Sequence, residues 1–125
     1  MKYNTILQID DDLDDCEFFR EALESVSGTN YIAMHNPLEV VEELRKSKVV
    51  PDLILLDINM PKMSGSTLLS LLRNENSTRS TPVIIFSTSP HSERNKTDNL
   101  NVLEYIVKPN TFQDLTRVIK RILSA

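Results

Sequence analysis

The 125-residue chain carries a single cysteine, Cys16, and no apolar run long enough to span a membrane. One cysteine excludes an internal disulfide and fits a reducing compartment. The opening Met1-Lys2-Tyr3-Asn4 leads into a short strand-like run and not into a secretory apolar segment. These absences predict a soluble, cytoplasmic protein with no membrane association. Basic charge is short as well: fourteen Lys and Arg stand against eighteen Asp and Glu, a net charge of −4. Nonspecific nucleic-acid binding needs an excess of Lys and Arg on one face. Here the basic residues are scattered, and the small cluster Arg117, Lys120 and Arg121 suits the last turns of a helix, where it complements the dipole. No nucleic-acid partner is expected. Asn76-Ser77-Thr78 and Asn95-Lys96-Thr97 match the glycosylation triplet, but with no secretory segment they read as chance matches. The length leaves no room for a second independently folding unit, so residues 1–125 are expected to form a single domain with no output domain. A domain of this size buries roughly two-thirds of its unfolded surface and sustains a core without metal staples.

What the chain has in excess is carboxylate at two places. Asp10, Asp11, Asp12, Asp14 and Asp15 fall within six residues, directly after the apolar stretch Ile6-Leu7-Gln8-Ile9. A second apolar run, Leu53-Ile54-Leu55-Leu56, also ends in an acid, Asp57. Strands that deliver acids at their C-terminal ends bring them to one point when they lie side by side in a parallel sheet, where open α/β folds place their ligands.

Apolar runs of strand length recur at Ile6 to Ile9, Tyr31 to Met34, Leu53 to Leu56, Val83 to Phe86 and Val102 to Val107. Between them, Cys16, Phe19, Leu23 and Val26, and later Phe112, Leu115, Ile119 and Ile122, recur at helical spacing and line one face each. Val41 with Leu44, and Leu68 with Leu71 and Leu72, mark two shorter helices. Asp14 with Glu17, Asn36 with Glu39 and Thr111 with Asp114 have the spacing of an N-cap and its reciprocal acid. Pro37 and Pro90 follow the cap candidates Asn36 and Ser89, where a first-turn proline costs no hydrogen bond. The pattern is βα repeated five times. It predicts an α/β, flavodoxin-like, doubly wound (βα)5 fold with a five-stranded parallel sheet in the order 2-1-3-4-5. From His91 to Asn99 there is no aliphatic side chain, so a fourth helix there would have almost nothing to bury and should be short or mobile.

In that strand order Asp10, Asp11, Asp57 and Ser87 face one crevice. Unit charges about 4 Å apart repel by roughly 1 kcal/mol in water and about 4 kcal/mol at an effective dielectric near 20, so clustered carboxylates need a positive partner. Lys108, at the end of the fifth strand, is one. An oxygen-rich site suited to Mg²⁺, which takes a few carboxylates, waters and a substrate phosphate, would provide another.

Four blocks carry a family resemblance: Ile9-Asp10-Asp11-Asp12; Leu55-Leu56-Asp57-Ile58-Asn59-Met60-Pro61-Lys62-Met63-Ser64-Gly65; Pro82-Val83-Ile84-Ile85-Phe86-Ser87-Thr88; and Tyr105-Ile106-Val107-Lys108-Pro109. In order and spacing they resemble the signature blocks of the receiver domain of two-component response regulators, of the stand-alone, CheY-like, single-domain kind found in bacteria. The resemblance implies a switch in a two-component system or phosphorelay, in which Asp57 accepts a phosphoryl group from a sensor histidine kinase or a histidine phosphotransfer protein. It further implies that Asp11, Asp57 and the backbone carbonyl of Asn59 hold Mg²⁺, with Asp10 acting through a metal-bound water. Ser87 and Lys108 would reach the acyl-phosphate oxygens, and Tyr105 would change its packing when the Ser87 hydroxyl moves. The Lys108-Pro109 peptide would be cis, which proline makes energetically reasonable. By the same resemblance the protein is a phosphoacceptor and not an enzyme with external substrates, beyond self-phosphorylation and autodephosphorylation. The chain departs from the family before the fifth strand, where the usual Gly-Ala turn is replaced by Asn99-Leu100-Asn101, so that Asn must supply any left-handed backbone position.

Other readings are weaker. Asp10, Asp12, Asp14 and Glu21 fall at ligand positions of an EF-hand loop, but the required glycine is Asp15 and the preceding segment reads as a strand. Asp57-Ile58-Asn59 is similar to the Asp-x-Asp of aspartyl-phosphate phosphatases, yet Asn59 cannot serve as their acid/base. A receiver fold used as a phosphorylation-independent interaction module stays open. Asp12, Asp14 and Asp15 are expected in solvent, one of them capping the first helix; His35 and His91 are expected at the surface, and Cys16 in the core.

Overall fold

The computed structural model describes residues 2–46 and 50–124. The elements alternate: β1 (Thr5–Ile9), α1 (Leu13–Val26), β2 (Asn30–Met34), α2 (Val40–Lys46), β3 (Leu53–Leu56), α3 (Gly65–Arg73), β4 (Val83–Ser87), α4 (Arg94–Thr97), β5 (Val102–Val107) and α5 (Phe112–Ser124). All strand pairings are parallel and the sheet order is β2-β1-β3-β4-β5. This is the flavodoxin-like (βα)5 arrangement that the alternation of apolar runs implies.

Because side chains alternate across a strand, each run feeds two cores. Ile6, Leu53, Leu55, Ile84, Phe86 and Ile106 pack with Phe19, Leu23, Leu115 and Ile119 of α1 and α5. Leu7, Ile9, Ile54, Leu56, Val83 and Ile85 pack with Val40, Leu68, Leu69 and Leu72 of α2 and α3. Leu53, Ile54, Leu55 and Leu56 are wholly inaccessible, as expected for a strand covered on both faces. Gln8 interrupts the apolar run of β1, and its Oε1 accepts a hydrogen bond from the Tyr31 hydroxyl at 2.7 Å. Among the described residues no helix is long and apolar enough to cross a membrane.

Several local expectations are corrected. The cap of α1 is Asp12 and not Asp14; its side chain accepts from the Asp14 and Asp15 amides. Asn36 opens a turn, accepting from Leu38 N through its side chain and from Glu39 N through its carbonyl, and α2 begins only at Val40. Ser89 likewise starts a turn, with its carbonyl accepting from Ser92 N, and α4 begins at Arg94 without a side-chain cap. Thr111 does cap α5, accepting from Asp114 N at 3.1 Å. The Lys108–Pro109 peptide is trans, as are all others among the described residues. The trans form is the one an X–Pro bond prefers by about 0.5–1 kcal/mol, and it already lets Lys108 reach the acids described below.

The fourth helix is one turn of four residues, Arg94–Thr97, in line with its lack of apolar side chains. The turn that follows is fixed from outside. Asn101 takes φ of 58°, the left-handed conformation expected of an asparagine there. Arg73, at the end of α3, donates to the carbonyls of Leu100 (2.8 Å), Asn101 (3.1 Å), Thr78 (3.0 Å), Arg79 (3.3 Å) and Thr81 (2.7 Å). One guanidinium thereby ties the loop entering β4 to the loop entering β5.

Candidate functional site

The crevice lies at the C-terminal edge of the sheet, where β1, β3, β4 and β5 end. Chain direction there is held by main-chain bonds from Asp10 N to Met34 O (3.1 Å), Asp57 N to Ile9 O (3.0 Å) and Lys108 N to Ser87 O (3.0 Å). Each places the residue just past one strand against the end of its neighbour. The loop after β3 is pressed against α3 at Gly65, whose amide donates to Ile58 O at 3.1 Å. A Cβ at Gly65 would lie 2.5 Å from the Asp57 carbonyl and 2.7 Å from Ile58 Cα, so only glycine leaves Asp57 where it is.

Asp10, Asp11 and Asp57 each offer a carboxylate oxygen, and the three oxygens lie within 4.8 Å of one another. Asp10 and Asp57 are buried and Asp11 is exposed. Asp57 is held by two donors: Asn59 N reaches Oδ1 at 3.0 Å and Lys108 Nζ reaches Oδ2 at 3.2 Å. Asp10 accepts from Asp12 N through Oδ1 at 3.0 Å. Its Oδ2 lies 2.6 Å from Lys108 Nζ, yet no donor is aligned with it. Burial raises the Asp10 carboxyl to about 6, against the lowering effect of Lys108 and of the Asp12 amide. For Lys108, burial pulls the ammonium down, but the close contacts with the Asp10 and Asp15 carboxylates and the charges of Asp10 and Asp57 outweigh it and hold the group above its ordinary value.

An orphaned buried carboxylate oxygen beside two further carboxylates is an all-oxygen donor set of the kind Mg²⁺ takes, so these residues fit a hard divalent cation. Asn59, expected to contribute its carbonyl, sits on the loop directly after Asp57 and is tied to it through its amide.

Ser87, at the end of β4, is fully buried. Its hydroxyl oxygen accepts from Asn59 Nδ2 at 3.2 Å and from Ser89 N at 3.3 Å, which leaves its own proton to donate. Tyr105 lies on β5, away from the acids. Its hydroxyl shares a hydrogen bond with Thr97 Oγ1 at 2.8 Å, its ring stacks on His91 at 5.2 Å, and the Arg94 guanidinium lies 4.6 Å from the ring centroid. His91 and His35 are exposed; His35 Nδ1 is 3.1 Å from the Asp10 carbonyl. Cys16 is in the core, where burial pushes its thiol up to about 12 and leaves it unreactive.

Sequence reasoning missed one member and one contact. Asp15, expected in solvent, is only half-exposed and bonds Lys108 Nζ at 2.7 Å. The signal was present: Asp15 lies four residues before the core residue Phe19 and so shares the inward stripe of α1. The side-chain bond from Asn59 to Ser87 left no sequence signal, since it joins loops 28 residues apart.

A sequence model of the family described as the response regulator receiver domain matches residues 6–120. The sensor histidine kinase CheAY of Helicobacter pylori is 36% identical over 117 residues, covering 93% of this chain and 14% of that protein. The chain spans about half or less of the length of the curated relatives it matches. Among solved structures, the phosphorylated cyanobacterial phytochrome response regulator RcpA superposes with a TM-score of 0.82 at 27% identity, covering 96% of this chain and 91% of that one. The Mn²⁺-bound form of response regulator Rcp1 gives 0.79 at 27% identity, covering 97% and 92%.

Proposed function

The chain belongs to the response regulator receiver domain family, and from that premise we propose that it is a phosphorylatable switch whose acceptor is Asp57 and whose donor is a phosphohistidine on a sensor kinase or phosphotransfer protein. The observation that carries this reading is the meeting of Asp10, Asp11 and Asp57 within 4.8 Å, with Lys108 Nζ at 3.2 Å from the Asp57 carboxylate. A carboxylate is a weak nucleophile, but phosphoryl transfer depends chiefly on alignment and on neutralising the equatorial oxygens. An Asp57 oxygen forms the new O–P bond as the P–N bond of the donor breaks, and the released imidazole takes its proton from solvent. Asn59 N and Lys108 Nζ hold the carboxylate in one orientation for that attack.

Asp11, Asp57 and the Asn59 carbonyl, with Asp10 through a water, would hold Mg²⁺, which would supply positive charge to the phosphoryl oxygens. Lys108 turns its ammonium from Asp57 Oδ2 to a phosphoryl oxygen on the same group. Ser87 donates its proton to another, since both of its acceptor positions are already filled. Movement of Ser87 toward the phosphoryl changes the space at the end of β4, and Tyr105, held by one hydrogen bond to the one-turn α4, is the side chain that repacks. The new charge thus biases a two-state element at the surface formed by α4 and β5.

Labelling with acetyl phosphate, read by intact mass, tests this. One phosphoryl adduct is expected in the presence of Mg²⁺, and none in Asp57→Asn or after chelation. A wild-type chain that takes no adduct, or a variant that takes as much, overturns the reading.

A further inference from the structure

Three carboxylates surround the Lys108 ammonium, but only two of them belong to the cation cluster. Nζ lies 2.6 Å from Asp10 Oδ2, 2.7 Å from Asp15 Oδ2 and 3.2 Å from Asp57 Oδ2, and the lysine side chain is only 10% exposed. The contacts to Asp15 and Asp57 are aligned as hydrogen bonds, whereas Asp10 Oδ2 has none. The Asp15 bond therefore gives the ammonium an aligned acceptor besides Asp57, although Asp10 Oδ2 is its nearest carboxylate oxygen. Asp15 itself is outside the trio that can share a cation.

The switch requires a divalent ion and Lys108 to serve the same carboxylate. They repel twice as strongly as two unit charges at the same separation, so the lysine must leave Asp10 when an ion engages it. An ammonium this buried cannot turn to water. Without another acceptor it stays between Asp10 and Asp57 and competes with the ion for them.

We propose that Asp15 is a positioning residue that gives Lys108 an acceptor outside the cation cluster and thereby sets the affinity of the site for its divalent ion. Removing Asp15 leaves the ammonium with Asp10 and Asp57 as its only carboxylates among the described residues. The role rests on the reading of Asp57 as a phosphoryl acceptor served by a divalent ion, but its test does not depend on phosphorylation.

The measurement is calorimetric titration of the full chain with Mg²⁺. Asp15→Asn is expected to weaken binding about fivefold, the scale of one half-buried ion pair. Loss of a negative charge alone also weakens cation binding, and Asp14→Asn, an exposed neighbour that does not touch Lys108, measures that field effect. Asp15→Glu keeps the acceptor and should return affinity to within about twofold of wild type. In a Lys108→Met background Asp15→Asn and Asp14→Asn should become equal, because there is no ammonium left to park. Should Asp15→Asn fail to fold, Asp15→Ser takes its place in each comparison. Equal effects of Asp15→Asn and Asp14→Asn in the presence of Lys108 would overturn the assignment. A wild-type chain that binds Mg²⁺ but never takes an adduct from acetyl phosphate defeats the proposed function and leaves this role of Asp15 standing.

Discussion

Burial raises the Asp10 carboxyl from 3.8 to about 6, so in the folded chain its charged form is held at a cost. The protonated form carries no such penalty. Stability contributed by the neutral carboxyl is therefore fully present below about pH 3.8 and is lost as pH rises through about 6. Above that, the fold tolerates an unfavourable charge, a pattern characteristic of functional carboxylates. Asp10→Asn removes the charge while keeping the shape, and it should stabilise the metal-free protein on the order of 2 kcal/mol at pH 7.5. The gain should shrink through pH 6 and vanish near pH 4. Urea unfolding in a chelating buffer at a series of pH values checks this; a constant difference across the series would mean that the gain comes from packing and not from ionisation. Asp15 belongs at this scale too. Its place on the inward stripe of α1 is legible in the spacing to Phe19, but its partner is 93 residues away, and no local pattern names it.

At the level of elements, α4 and the turn after it behave as a part held mostly by others. The helix has four residues, and its one wholly buried side chain is Thr97. Its single turn is well below the length at which an isolated helix is stable. What fixes the region is Arg73, whose burial lowers its pKa and whose guanidinium serves carbonyls of two loops. The absence of apolar residues between His91 and Asn99 makes the weak helix readable from sequence, as does the left-handed asparagine that replaces a glycine. The arginine is not readable: at the last position of an amphipathic helix it looks like an ordinary complement to the dipole. Arg73→Lys keeps the charge but cannot present a planar fork to several carbonyls. It should destabilise the protein by about 2 kcal/mol and speed amide exchange in residues 98–102, with little change in α1 or β1. Hydrogen exchange resolved by segment distinguishes this from a uniform loss of stability.

Taken as a whole, the molecule separates a two-sided apolar core from a charged edge. The five strands were legible because each is a continuous apolar run buried on both faces, and the sheet order follows from parallel pairing with right-handed crossovers. Helix caps were harder, since five aspartates within six residues offer several with cap spacing, and the backbone selects Asp12. The Lys108–Pro109 isomer was beyond reach for a related reason: the intrinsic preference is about 0.5–1 kcal/mol, so tertiary context decides it. The same separation predicts how a divalent ion acts on stability. The core does not need the ion, because its two clusters are built from apolar side chains packed between the sheet and the helices. The edge gains from it, because Asp10, Asp11 and Asp57 share one neighbourhood with a single buried lysine. Mg²⁺ at about 100 times its dissociation constant should therefore raise unfolding stability by about 2.7 kcal/mol. The urea midpoint should move while the slope stays fixed, since the surface exposed on unfolding is unchanged. Asp11→Asn, exposed and outside the core, should keep the metal-free stability and lose most of the Mg²⁺ response; a variant that responds as strongly as wild type would place the ion somewhere other than this crevice.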